Sequence, residues 1–356
     1  MSTQTATKPT TPPADPSVLS RLRRLLSHLE WRHCIIYIGF VAVFLVFAVM
    51  LKDEGFLSST NLLNIFRQTA TITVIAVGMT FVISCAEIDL SVGSVAGLSS
   101  VVTAMSIAHW GPVAGVAAGL AVGLTVGAVN GGLVSMLGIP SFLVTLGMLG
   151  VAAGLAQWIT NSAPQPILND TFNTIFGSGN VGDLPGLVFW SGAFVAIGAV
   201  VLAKTEFGRQ VLATGGNRTA ADFTGINTRR LKFQVLLLSA TVASVAGMLY
   251  AGRLQSGRFQ WGSGDELSAI AAVILGGTSL FGGKGSVVGT FFGALLIGLI
   301  NNGLILAGLD SSQQQVIRGV IIILAVALAK KNTPTHRRQS TRQRRRRPST
   351  LLGEGT

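Results

Sequence analysis

A glycine-lysine pair, Gly283-Lys284, is the one place in this 356-residue chain where residue types suggest nucleotide chemistry. A lysine closing a glycine-rich loop can cradle phosphates, with a Ser or Thr after it reaching magnesium. The neighbouring positions exclude that use: Thr278 stands where such a loop would begin with glycine, and Gly285 takes the place of the magnesium-binding hydroxyl. Other reactive side chains are dispersed. His28, His33, His109 and His336 lie far apart, and Cys34 and Cys85 sit singly at the edges of apolar runs, with neither metal-ligand spacing nor a disulfide framework. No nucleophile elbow and no His-carboxylate cluster occurs. The expectation is a chain with no catalytic residue, no metal ligand and no cofactor of its own.

What remains is a polar stretch that could grip another protein. Lys204–Lys232 reads KTEFGRQVLATGGNRTAADFTGINTRRLK. Thr205 begins a helix that Gly215 and Gly216 break, Asn217 caps a second helix over Arg218–Thr224, and Gly225 ends it. A helix of about two turns is not stable alone in water, so it must pack on its own bundle or on a partner.

The elements around it are apolar. Hydrophobic residues make up 49% of the chain and charged ones 11%, too few to cover a soluble globule. The 44 glycines are spread through the apolar runs, as suits closely packed membrane helices. The pattern predicts an all-α, polytopic membrane helix bundle of about ten spans: Cys34–Leu51, Leu62–Ser84, Val92–Ala108, Val113–Leu137, Ile139–Thr160, Gly186–Ala203, Phe233–Ala251, Leu267–Phe281, Val287–Ala307 and Gln315–Ala329. The chain divides into a leader (1–33), a membrane body (34–329) and a basic tail (330–356).

The net charge of +12 would suggest nucleic acid for a soluble protein, but its placement points to a membrane. Of 26 Lys and Arg, nine lie from Lys330 onward, six in Lys204–Lys232 and five in the leader up to Arg32. Positive segments stay in the cytoplasm, so both termini and the polar stretch belong on that side. The tail run Arg344–Arg347 is expected to meet anionic membrane lipid, and no nucleic-acid partner is expected. In the fourth span Gly111, Gly115, Gly119, Gly123, Gly127 and Gly131 recur every fourth residue, a ridge that lets a neighbouring helix approach closely. Asn130, Asn301 and Asn302, in apolar surroundings, are expected to bond between helices.

Three stretches carry a family resemblance. Gly208-Arg209, Ala213-x-Gly215-x-Asn217, Ala220-Ala221 and Gly225-Ile226 resemble the cytoplasmic coupling loop of ribose-type sugar ABC importer permeases. The string Ile88-Asp89-Leu90-Ser91-Val92-Gly93-Ser94 is similar to a signature of that family, and so is Ile274–Ser286 with its Gly276, Gly277, Gly282, Gly283 and Lys284. Together the matches cover about Asn61–Ala329. Cys85-Ala86-Glu87 departs from it, since the family usually has small residues there.

The resemblance implies a non-catalytic permease in the bacterial inner membrane that imports a monosaccharide or sugar-like solute. Its partners would be ATPase subunits that use ATP and Mg, a periplasmic sugar-binding protein and a second permease copy. Movement would enter through Asn217, Ala220, Ala221, Phe223, Gly225 and Ile226, with Ala220, Ala221 and Phe223 seated in the ATPase. Asp89, with Ser91, is expected to cap the third span. The alternative is a secondary transporter driven by an ion gradient, which would need ionisable groups near the bilayer midplane.

Overall fold

The structure is a computed structural model and describes residues 31–331. The leader (1–33) and the basic tail (330–356) lie outside the described residues, apart from their inner ends.

Among the described residues thirteen α-helices follow one another. They are α1 (Trp31–Met50), α2 (Ser59–Ser84), α3 (Val92–Trp110), α4 (Pro112–Met136), α5 (Ser141–Thr160), the single turn α6 (Asp170–Asn173) and α7 (Gly186–Lys204). Then come α8 (Glu206–Gly216), α9 (Arg218–Phe223), α10 (Thr228–Leu254), α11 (Asp265–Leu275), α12 (Val287–Leu306) and α13 (Ser311–Lys331). Two ribbons of two-residue strands sit in the connections, β1 (Gln165–Pro166) on β4 (Ser256–Gly257) and β2 (Asn180–Val181) on β3 (Leu184–Pro185), both antiparallel.

Among the described residues, seven helices are long and apolar enough to cross a membrane: α2, α3, α4, α5, α7, α10 and α12. Their bounds follow the hydrophobic runs, because a backbone in lipid has to satisfy its own N–H and C=O groups. Among these seven, α2, α3 and α10 form the buried centre, whereas α4, α5 and α7 keep most of their surface outward. The apolar core joins Val74, Ile75 and Met79 of α2, Val95 and Val101 of α3, Leu236 and Leu249 of α10, and Val273 of α11.

The glycine ridge of α4 packs as its spacing predicts, with one exception. Added Cβ atoms at Gly115 and Gly119 would strike Thr103 of α3, and at Gly123, Gly127 and Gly131 they would strike Ser244, Leu237 and Phe233 of α10. Gly111 is not part of the ridge. It breaks the chain between α3 and α4 at φ 85°, a left-handed turn that a glycine enters without the Cβ clash.

The eighth span is the main departure. Leu267–Phe281 was expected to cross as one helix, but α11 stops at Leu275 after 11 residues, about 16 Å against a hydrocarbon core of about 30 Å. The segment before it is not α-helical: after the two-residue strand β4 it is a run of turns over residues 259–264 that packs along α3. Gly257 lies on Ser100 and Ala104, the Phe259 and Trp261 carbonyls on Gly97, and the Gly262 carbonyl on Gly93. Ser100 Oγ donates to the Arg258 carbonyl (3.1 Å) and accepts from the Arg258 N–H (3.3 Å). Irregular backbone is tolerated at membrane depth when it is packed within protein, and Gly93 and Gly97 supply the space. Asp265 opens α11 from inside the bundle, where its carboxylate accepts from the Tyr250 hydroxyl (2.6 Å).

Candidate functional site

Two of the three stretches singled out in the sequence meet at one end of the bundle, against the turn that leads into the third. α2 ends at Ser84, and the chain turns away through Ala86, at φ 61°, a left-handed conformation that costs a non-glycine residue roughly 1–2 kcal/mol. Two contacts hold that turn. The Gly283 N–H donates to the Ser84 carbonyl (3.0 Å), and an added Cβ at Gly282 would lie 2.8 Å from the Ala86 Cβ.

The end of α8 closes over both. At Gly215 an added Cβ would overlap the Ser84 carbonyl oxygen and come within 2.8 Å of the Gly283 nitrogen. Gly215 and Gly216, expected to break the helix, are its last two residues. They are glycines because backbone meets backbone here; the helix ends one residue later at Asn217, whose backbone is extended (φ −160°).

From Asn217 the chain behaves as its sequence suggests. The Asn217 side chain accepts from the Ala220 N–H (3.0 Å), α9 runs only to Phe223, and Gly225 follows at φ 87°. Ala220 is exposed and Phe223 is 89% exposed. Ala221, expected to seat in a partner, is 4% exposed and faces the chain's own bundle. Ile226 is half-buried, packed beside Phe81, Leu202 and Val211. Thr228 Oγ1 donates to Asp222 Oδ1 (2.6 Å), fastening α9 to the start of α10.

Residues 85–91 link this junction to the interior. The Ile88 N–H donates to Ser141 Oγ (3.1 Å) and the Leu90 N–H to Thr145 Oγ1 (3.0 Å), so α5 satisfies the backbone of the crossing segment. Asp89 does not cap α3 as expected. Its Oδ1 accepts from the N–H (3.0 Å) and the hydroxyl (2.6 Å) of Ser91, a turn just ahead of the helix, and Ser91 makes no side-chain cap bond. Ser91 Oγ in turn accepts from Asn130 Nδ2 of α4 (3.0 Å). Glu87 forms an ion pair with Lys232 of α10, the two side chains being 8% and 14% exposed.

The second asparagine expectation holds elsewhere. Asn61 and Asn302 exchange amide hydrogen bonds (3.1 and 2.8 Å) between α2 and α12, whereas Asn301 Oδ1 has no partner among the described residues. Gly276, at the end of α11, packs on the backbone of Gly289 and Thr290, Gly277 turns at φ 88°, and Lys284 is exposed. No group of three His, Cys, Asp or Glu that could hold a metal occurs among the described residues. The missed element is the Glu87–Lys232 pair. Glu87 stood out as a departure from the family, but nothing in the spacing names a partner 145 residues away.

The junction is thus a place where backbone segments interlock, and the helix that follows it exposes Phe223. Residues 61–326 match the family described as a branched-chain amino acid transport system / permease component. The chain belongs to the ABC-transporter permeases, in their ribose-type branch. The ribose import permease RbsC of Bacillus subtilis is 41% identical over 278 residues, spanning 78% of this chain and 86% of that one. The probable ABC transporter permease YphD of Escherichia coli is 41% identical over 279 residues (78% and 83%), and the xylose transport system permease XylH of Haemophilus influenzae 32% over 343 (78% and 91%). No solved structure matches the chain. The permease is a multi-pass protein of the bacterial inner membrane. Gly215, Gly282 and Gly283 of its junction are among the residues on which the family resemblance was drawn.

Proposed function

We propose that the permease forms the translocation path of an ATP-driven importer for a monosaccharide or sugar-like solute. Separate ATPase subunits would dock on α9 and a periplasmic binding protein would deliver the solute on the opposite side. The observation that carries this reading is the junction: α9 presents Phe223 outward while α8, just before it, is locked onto the end of α2 and the α11–α12 turn, and α10, just after it, is fastened to α9 by Thr228. A residue that is both large and apolar, left 89% exposed on a capped two-turn helix, fits a partner's groove. The fold supports ten crossings in this reading. From Ala104 to Gly93 the segment 257–262 follows α3 over about 16 Å, and α11 adds about 16 Å, which together match the hydrocarbon thickness. With that crossing counted, the basic termini and the α8–α9 region share the cytoplasmic side. Two permease copies would enclose the path. ATP and Mg belong to the ATPase partner, and the permease itself binds neither.

The test is uptake by proteoliposomes containing the permease, its ATPase subunits and its binding protein, with radiolabelled ribose and xylose as first substrates because two relatives are named for them. ATP-dependent accumulation supports the reading. Accumulation driven by a sodium or proton gradient without the ATPase would replace it with a secondary transporter.

A further inference from the structure

We propose that the Glu87–Lys232 ion pair is the strut that transmits movement of α9 to the crossing segment 85–91, making Glu87 and Lys232 positioning residues for transport. The inference rests on the function proposed above and names the contact through which it would act. Glu87 replaces the small residues expected at this place, and its carboxylate reaches across to another element to meet Lys232. Lys232 lies in the first turns of α10, fifteen residues after the Asn217 cap.

Polar contacts flank this pair on both sides along the chain. Asp222 of α9 accepts from Thr228 (2.6 Å), and the Asn227 side chain caps α10 by accepting from the Arg230 N–H (2.9 Å). One turn further, Lys232 holds Glu87. Beyond Glu87, the Ile88 and Leu90 amides are bonded to Ser141 and Thr145 of α5, and Asp89 is bonded to Ser91, which Asn130 of α4 contacts. A helix is stiff along its axis, so a displacement of α9 is delivered to Lys232 with little loss.

The character of the link matters. Apolar contacts between α10 and the crossing segment could slide without much change in energy. Two opposite charges sheltered from water resist separation strongly, because parting them leaves each one uncompensated in a poor solvent for charge. Glu87 also follows Ala86, whose left-handed backbone marks the point where the chain bends away from α2. A pull applied next to such a bend changes its angle more readily than a pull within a helix, where hydrogen bonds would have to break. The pair therefore sits where force from outside the membrane can redirect residues 85–91.

The test compares hydrogen exchange of the permease assembled with its ATPase subunits in lipid nanodiscs, nucleotide-free and with ATP bound to a hydrolysis-deficient ATPase. Peptides covering 85–91 and 218–225 are followed. In the natural protein ATP binding should alter exchange in both. Glu87→Gln leaves Lys232 without its counter-charge and could lower folded yield, so the decisive variant is the double Glu87→Gln/Lys232→Gln, which removes both charges. It should melt near the natural protein and keep the response at 218–225, while the response at 85–91 falls about tenfold, within the usual range for coupled sites. The reversed pair Glu87→Lys/Lys232→Glu should restore it. An 85–91 response that persists in the double variant overturns the strut. So does a natural protein in which 218–225 responds and 85–91 does not. If 218–225 itself is indifferent to the ATPase, the coupling function proposed above fails first, and the two failures are distinguishable.

Discussion

Gly215 and Gly216 are adjacent glycines on one helix, and the structure predicts opposite results for the same mutation. Both backbones are helical, so alanine at either position should gain about 0.5–1 kcal/mol from reduced freedom of the unfolded chain. At Gly216 that gain is uncontested, since its Cβ would find only the Gly283 Cα at 3.6 Å, an ordinary contact. At Gly215 the Cβ would overlap the Ser84 carbonyl and stand 2.8 Å from the Gly283 nitrogen, against the 3.4–4 Å of ordinary contact. Both neighbours are backbone and cannot swing aside.

Forcing α8 away should cost about 1–3 kcal/mol for the overpacked methyl. Disturbing the Ser84–Gly283 hydrogen bond should cost about 1 kcal/mol more. Less the helix gain, Gly215→Ala should open the junction by about 1–3 kcal/mol. Cys85, buried at 2% exposure and next to Ser84, reports that opening through its alkylation rate, read at its own peptide by mass spectrometry. Where alkylation follows local opening, Gly215→Ala should speed it about 5- to 150-fold, the equivalent of 1–3 kcal/mol. Gly216→Ala should leave it unchanged or slow it. Equal rates for the two variants would refute the backbone interlock on which the reading of the junction depends.

Three further outcomes follow from the same geometry. Phe223→Ala should leave the melting temperature of the isolated permease unchanged, because the ring touches little of its own chain, yet abolish co-purification with the ATPase; Ala221→Glu, by contrast, should lower folded yield by burying a charge. On α4, Gly127→Leu should cost about 1–3 kcal/mol or more against Leu237 and Ala240, whereas Gly132→Leu, with nothing within 4 Å, should behave as the natural protein in size-exclusion profiles. Asp89→Asn keeps the acceptor oxygen facing Ser91 and should retain most folded protein. Asp89→Ala strands the buried Ser91 N–H at a cost of about 1–3 kcal/mol and should yield markedly less, as thermal unfolding in detergent would measure.

The sequence alone determined the membrane class, the bounds of most spans and the α9 cap. Those features rest on local chemistry: an apolar run must be helical in lipid, and Asn217 can satisfy a helix N-terminus whatever surrounds it. The glycine ridge was legible for the same reason, since spacing on a helix fixes a face. Only the tertiary structure decided that α11 is just 11 residues long, because the non-helical segment before it can pack only where α3 offers Gly93 and Gly97 to receive it. It alone decided that Ala221 turns inward, that Asp89 serves Ser91 instead of α3, and that Glu87 meets Lys232. Each of these depends on which distant segment comes within a few ångströms, and separation along a chain carries no record of that.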